Sequence, residues 1–173
     1  MRKVLMAVDE TAGSKSVLSV YKTMVREPES VILVHVQRLE GKSMMIDMLS
    51  ESELKTLKES IQGTEYKEEL DRKSEKIMSF YKKALENGGS VNVKAVVKEG
   101  IPSVEILNVA QEEKVDLIIM GCNGKTWLHR LVAGCATKEV ERAATVPVLV
   151  AKTSGCEKSI EHGWRGREAY AAQ

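Results

Sequence analysis

Val4-Leu5-Met6-Ala7-Val8 is an unbroken apolar run that ends against Asp9-Glu10. Five apolar residues without polar alternation have the length of a strand, and a strand with no polar face is one covered on both sides, as in a parallel sheet. Similar runs recur at Val31–Val36, Val91–Val97, Val115–Met120 and Val146–Val150, with His35 and Asp116 inside two of them and the Val91–Val97 run least apolar, interrupted by Asn92 and Lys94. Between the first two runs Val17, Val20, Tyr21 and Met24 repeat at helical spacing, and between the second and third Leu70, Ile77, Tyr81 and Ala84 do the same. Pro102 stands where a helix would start, followed by Val104, Leu107 and Ala110, and a last helix carries Ala133, Ala136, Val140 and Ala143.

Strands that alternate with helices connect by right-handed crossovers and cover a parallel sheet on both faces. The expected fold is therefore α/β: a doubly wound, Rossmann-like, five-stranded parallel sheet in the order 3-2-1-4-5. In that class a ligand sits at the switch point, among loops leaving the carboxyl ends of the strands. One domain is expected over residues 1–152, with a variable insertion at 37–63 and a polar tail at 153–173. In the insertion Ser50 and Glu53 match a capping box ahead of Leu54, Leu57 and Ile61, predicting a short helix broken near Gln62-Gly63-Thr64. Met44, Met45 and Met48 are read as core or lid packing. The tail, with Gly155, Gly163, Gly166 and an isolated Trp164, is expected to be mobile or docked on another subunit.

Composition narrows the function. Among 173 residues, 26 Lys and Arg balance 25 Asp and Glu, so no chain-wide basic field draws in nucleic acid or anionic lipid. No stretch reaches the ~18 apolar residues of a membrane span, and the apolar run after Met1-Arg2-Lys3 is shorter than a signal-peptide core of about 7–15 residues. A cytoplasmic protein with neither nucleic-acid nor membrane partner is expected. Cys122, Cys135 and Cys156 form no CxxC pair, and with His35, His129 and His162 they lack metal-ligand spacing.

The chemistry is concentrated after the fourth strand, in Gly121-Cys122-Asn123-Gly124 and then Gly134-Cys135-Ala136-Thr137 at the start of a helix. Glycine lets backbone approach a ligand, and the free N–H groups of a helix start attract phosphate. The connection also exceeds the usual αβ loop of about 4–6 residues, as functional loops often do. Asp9, at the end of the first strand, suits acceptance of hydrogen bonds from both ribose hydroxyls in a doubly wound nucleotide site. The same residue also suits capping the next helix with Thr11 or Ser14. Lys125 and Arg130 lie in the glycine segment, where they either meet phosphate charge or remain solvated.

These residues resemble the universal stress protein family, whose nucleotide motif is Gly, two residues, Gly, nine residues, Gly, then Ser or Thr. The spacing matches at Gly121, Gly124 and Gly134, and the similarity extends through Val31–Val36, Gly100-Ile101-Pro102, Asp116–Gly121 and Val146–Val150, covering about residues 2–152 apart from the insertion. The resemblance implies ATP as cofactor, with Mg2+. It implies backbone contacts to adenine from Ala7 and Val36, ribose contact at Asp9, and phosphate contacts from Gly121, Asn123, Gly124, Gly134, Cys135, Ala136 and Thr137, with Lys125 of the same segment a further candidate from its charge. It also implies a homodimer through the fifth strand. Cys135 departs from the motif: a thiol is a poorer donor than the family's hydroxyl, and one lost hydrogen bond weakens binding by up to about tenfold.

Competing motifs fail. Asn123-Gly124-Lys125-Thr126 looks like the end of a Walker A loop, but Ile119 stands where its first glycine is needed. A phosphoacceptor receiver would end its third strand in aspartate, where this chain has Val97-Lys98-Glu99, and a dehydrogenase would carry GxGxxG in place of Val8-Asp9-Glu10-Thr11-Ala12-Gly13. No catalytic constellation stands out, so the expected role is an ATP-dependent regulator of a stress response acting on an unidentified protein partner. Slow ATP hydrolysis and a nucleotide-free dimeric interaction module are the alternatives.

Overall fold

The computed structural model describes residues 3–37, 50–87, 91–122 and 136–152. Five parallel strands, β1 (Lys3–Ala7), β2 (Ser30–Gln37), β3 (Asn92–Glu99), β4 (Leu117–Gly121) and β5 (Val148–Ala151), form one sheet in the order β3-β2-β1-β4-β5. The order is the one expected. Five described helices connect and flank them: α1 (Ala12–Met24), α2 (Glu51–Ile61), α3 (Glu65–Glu86), α4 (Pro102–Glu112) and α5 (Ala136–Ala143).

The two-residue period of a strand sorts the apolar runs into two cores. Val4, Met6, Val31, Leu33 and Ile119 face α1 and α3, where they meet Val17, Met78, Tyr81 and Leu85. Leu5, Ile32, Val34, Ile118 and Met120 face α4 and α5, where they meet Ile106, Val109 and Val140. The register Val4↔Val31 and Val4↔Leu117 stacks like against like across the three central strands, and this explains why their sequences carry no polar alternation.

Several boundaries and faces differ from the sequence reading. Val115 is buried but precedes β4, because its N–H donates to Ala110 O and so finishes α4 instead of joining the ladder. Val146 packs on the second core ahead of β5, while the Pro147 carbonyl opens the ladder by accepting from Ile118 N. On α4 the buried face is Ser103, Ile106, Val109 and Ala110, rotated from the one predicted, and Val104 is exposed. At the end of α1, Val25 packs on the core in place of the exposed Met24. The less apolar β3 is an edge strand, and its Val97 is exposed.

In the insertion, α2 begins with the reciprocal Ser50 and Glu53 capping box that was expected. It ends at Gln62, and Gly63 adopts a left-handed φ of +72° that lets Thr64 cap α3. Met44, Met45, Met48 and the whole tail lie outside the described residues.

A polar clamp fastens the start of α3 to the carboxyl ends of β2 and β3. The buried Lys67 ammonium pairs with Asp71 and with Glu99 at 2.7 Å, and donates to Gln37 Oε1 at 3.1 Å. Gln37 in turn donates to Asp71 Oδ1 at 2.8 Å and to Ser74 Oγ at 2.9 Å, so the group is closed on itself. Burial pulls the Lys67 pKa down, but its bonds to Asp71 and Glu99 outweigh that and hold it above its ordinary 10.5. The same Lys67 bond, then Gln37, holds Asp71 below its ordinary 3.8.

The lysine term is present below pH 10.5 and fades as pH rises through its raised value; the aspartate term is present above 3.8 and fades as pH falls through its lowered value. Both act at neutral pH. Lys67→Met should therefore destabilise the fold at pH 7 by roughly 1 kcal/mol, a figure kept low by the half-exposed Asp71, and by less at pH 3, below the ordinary aspartate value. Urea denaturation of both proteins at the two pH values measures this, and a penalty that does not shrink in acid contradicts it.

Candidate functional site

The crossover after β1 leads to α1 on one face of the sheet, and the crossover after β4 leads to α5 on the other. The connections diverge between these adjacent strands, which makes the β1/β4 boundary the switch point and the place for a ligand. Asp9 is positioned there by the turn from β1 into α1. Its Oδ1 accepts from Thr11 N at 2.8 Å and from Thr11 Oγ1 at 2.5 Å, while Thr11 is itself the N-cap of α1. The helix cap is thus Thr11, with Asp9 steadying it, and Asp9 Oδ2 has no hydrogen bond among the described residues.

The backbone of this turn is held by side chains from three elements. Val8 N donates to Val34 O at 2.9 Å, the last rung between β1 and β2. Val8 O accepts from His35 Nδ1 at 2.9 Å; a carbonyl can only accept, so the proton of this buried imidazole is on Nδ1. Asp9 N donates to Ser14 Oγ at 2.8 Å. Tyr81, reaching in from α3, points its hydroxyl at Ser14 Oγ (3.0 Å) and Asp9 O (3.3 Å). Glu10 pairs with Lys73 of α3 at 3.0 Å on the exposed rim.

Val36 and Ala7 share the α4/α5 face, both packed beside the second core. Backbone groups along a strand alternate in direction, and Val34 O faces β1 while Gln37 O accepts from Gly100 N on the other side. Val36 consequently directs its N–H and C=O toward the β1 side, at a level where β1 has already turned away. By the same alternation Ala7 directs its backbone groups to β4, so what it presents to this gap is its methyl group.

Gly121 ends β4 at a point where α1 crosses closely. A Cβ placed on it would lie 2.4 Å from both C and O of Gly13 and 2.7 Å from Ser14 N. Those atoms are backbone and cannot swing aside. Thr137, buried in the first turn of α5, donates from Oγ1 to Gly121 O at 3.3 Å, bracing the start of α5 against the same residue. Ala136 stands beside it, partly buried. Asn123, Gly124, Lys125, Gly134 and Cys135 lie outside the described residues, as does Arg130.

The sequence names Thr11 and Ser14 beside Asp9 as helix-capping partners, but not Tyr81 or His35 as residues that hold its turn. Tyr81 entered only as one member of an apolar stripe; a tyrosine in a buried stripe implies a polar partner for its hydroxyl, and that was the available signal. Lys67 gave none, since a lysine four residues before an aspartate is ordinary on solvated helices.

The universal stress protein family model matches residues 1–152. A universal stress protein of Methanocaldococcus jannaschii is 32% identical over 157 residues, covering 87% of this chain and 94% of that protein. The solved structure of that protein superposes with a TM-score of 0.66 at 33% identity, over 88% of this chain and 96% of the other. A universal stress protein family member from Arabidopsis thaliana, solved with AMP bound, shares the fold at a TM-score of 0.58 and 18% identity, over 91% of this chain and 95% of that one.

Gly121→Ala should cost at least about 2 kcal/mol, because β4 and α1 must separate to admit the methyl group. Chemical denaturation measures the loss. Unchanged stability would mean that the close approach of Gly121 to Gly13 is wrong.

Proposed function

The chain belongs to the universal stress protein family, and from that membership we propose that it binds ATP at the β1/β4 switch point and acts as a nucleotide-dependent regulator. The observation that carries this reading is Asp9: one carboxylate oxygen is tied to Thr11, the other is left for a ligand, and the whole residue sits at the switch point. A carboxylate so placed suits the two ribose hydroxyls. Val36 offers a backbone N–H and C=O side by side, the donor and acceptor pair that the N1 and 6-amino group of adenine require, and the Ala7 methyl group lies on the same face. Phosphates fall to the glycine segment, with Gly121, Asn123, Gly124, Lys125, Gly134, Cys135 and Ala136 supplying backbone or charged donors. Thr137 braces the segment through Gly121 O. That the fold accommodates an adenine nucleotide is consistent with the AMP-bound member from Arabidopsis thaliana.

Among the described residues no group of three or more His, Cys, Asp or Glu is arranged to hold a metal ion. Mg2+ would accordingly be carried mainly by the phosphates themselves, as is common for this ion. Glu10 of the turn is engaged by Lys73 and the remaining Asp9 oxygen is assigned to ribose, so neither is placed as a general base for water beside the phosphates. This favours regulation over turnover. Since the nucleotide segment leads through α5 directly into β5, ATP can bias what β5 does.

That strand is the outer edge of the sheet, with Val148, Leu149 and Val150 all partly exposed. We assign it to a homodimer, because an apolar sheet edge with unpaired backbone groups invites a partner strand. A cytoplasmic location and a protein partner read through the dimer complete the reading. Sedimentation should show a dimer at tens of micromolar for the parent and a monomer for Leu149→Lys, with circular dichroism verifying that the variant is folded. A monomeric parent, or a variant that dimerises equally well, contradicts the β5 interface.

The nucleotide reading is tested by thermal denaturation with ATP, supplemented by phosphate release. ATP at a hundred times its dissociation constant stabilises by about 2.7 kcal/mol, several degrees in melting temperature. Cys135→Ser should reach the same shift at up to about tenfold less ATP. No shift in either protein would leave the family fold as an interaction module without nucleotide, and steady phosphate release would make it a hydrolase.

A further inference from the structure

Tyr81 belongs to α3, distant in sequence from every residue assigned to nucleotide, yet its hydroxyl ends on the backbone of Asp9. The ring is 2% exposed and edge-packed on Phe80 with centroids 5.2 Å apart, so the hydroxyl is delivered by a fixed lever. Its single proton is shared between Ser14 Oγ at 3.0 Å and Asp9 O at 3.3 Å. Ser14 Oγ also accepts from Asp9 N at 2.8 Å. Tyr81 and Ser14 therefore bridge both main-chain polar groups of Asp9, and Thr11 fixes one oxygen of its side chain. Burial, reinforced by the nearby Asp9 charge and partly offset by the Ser14 bond, pushes the Tyr81 pKa above its usual 10.0, which keeps the donor protonated.

Packing alone does not require a hydroxyl at this position, since phenylalanine would fill the same volume. A hydroxyl is needed only if the Asp9 turn must be held in one conformation. A carboxylate that receives two vicinal hydroxyls gains from being held, because the ordering cost is met before the ligand arrives.

We propose that Tyr81, acting with Ser14, is the positioning residue that sets the Asp9 carboxylate for a ribose bearing free 2′ and 3′ hydroxyls, and so sets the selectivity of the site for ribonucleotides. The proposal rests on the nucleotide reading given above. It also gives α3 a part in that site. The element that follows the family's variable insertion touches the ligand site through Tyr81, and through Lys73 to Glu10.

The test compares ATP with 2′,3′-dideoxy-ATP by isothermal titration on the parent, Tyr81→Phe, Asp9→Asn and the double variant. The parent should bind ATP more tightly than the dideoxy analogue. Tyr81→Phe should lose about three- to tenfold in affinity for ATP while its affinity for the dideoxy analogue stays the same, since an analogue without hydroxyls has no use for a positioned Asp9. In the Asp9→Asn background Tyr81→Phe should cost nothing further. Equal loss for both nucleotides would make Tyr81 a merely structural residue and overturn the proposal, as would a variant whose preference matches the parent's. A parent that binds ATP with no preference over the analogue refutes the ribose role of Asp9, and a parent that binds neither refutes the nucleotide site; either result removes the proposal along with its premise.

Discussion

In the switch-point region two backbones pass close together, β4 at Gly121 and α1 at Gly13 and Ser14, so that a methyl group on Gly121 would stand 2.4 Å from main-chain atoms. The functional geometry depends on that contact. It brings the carboxyl end of β4 against the first turn of α1, which carries Ser14, and Ser14 anchors the amide of Asp9. It also places the Gly121 carbonyl where Thr137 can brace the start of α5. A single missing side chain thus links the Asp9 turn to the start of α5. Gly121 stands in a glycine motif that sequence reading associates with ligand approach, and here it has a packing role as well.

Around this contact the turn Val8–Thr11 is held by side chains from elements remote in sequence: His35 from β2, Ser14 from α1 and Tyr81 from α3. His35 and Ser14 bond to backbone groups of the turn, and Tyr81 reaches the Asp9 carbonyl as well as Ser14 Oγ. The arrangement fixes the path of the chain and leaves one Asp9 oxygen without a hydrogen bond among the described residues. Lys67 and its partners perform a related task a short distance away, holding α3 to the ends of β2 and β3.

The fold was legible in the sequence because its signals are local. Five apolar runs separated by helical periodicities admit few topologies once crossovers must be right-handed, and the capping box at Ser50 and Glu53 gave the start of α2 directly. Strand ends were less legible where an apolar residue served another element. Val115 looks like strand and bonds to Ala110; Val146 looks like strand and packs ahead of Pro147. The face of α4 was misjudged because Val104 and Leu107 alternate with Ile106 and Val109, so two apolar stripes fit one helix and only the sheet chooses between them.

For the site, sequence supplied the groups proposed to meet a ligand and few of those that support them. Asp9 follows an apolar strand and Gly121 opens a recognisable spacing, whereas the bond from Tyr81 spans 67 residues to Ser14 and exists only once α3 lies across α1. The account's central claim is that Asp9, Val36 and the Gly121 to Thr137 segment form one nucleotide cleft. Titrating 15N-labelled protein with ATP and following backbone amide resonances tests it most directly. The account predicts that the largest shifts fall on Val8 to Ser14, Val36 and Gln37, Gly121 to Gly124 and Gly134 to Thr137, with β3 and the far end of α4 unmoved. Shifts centred elsewhere, or none at saturating ATP, would contradict it.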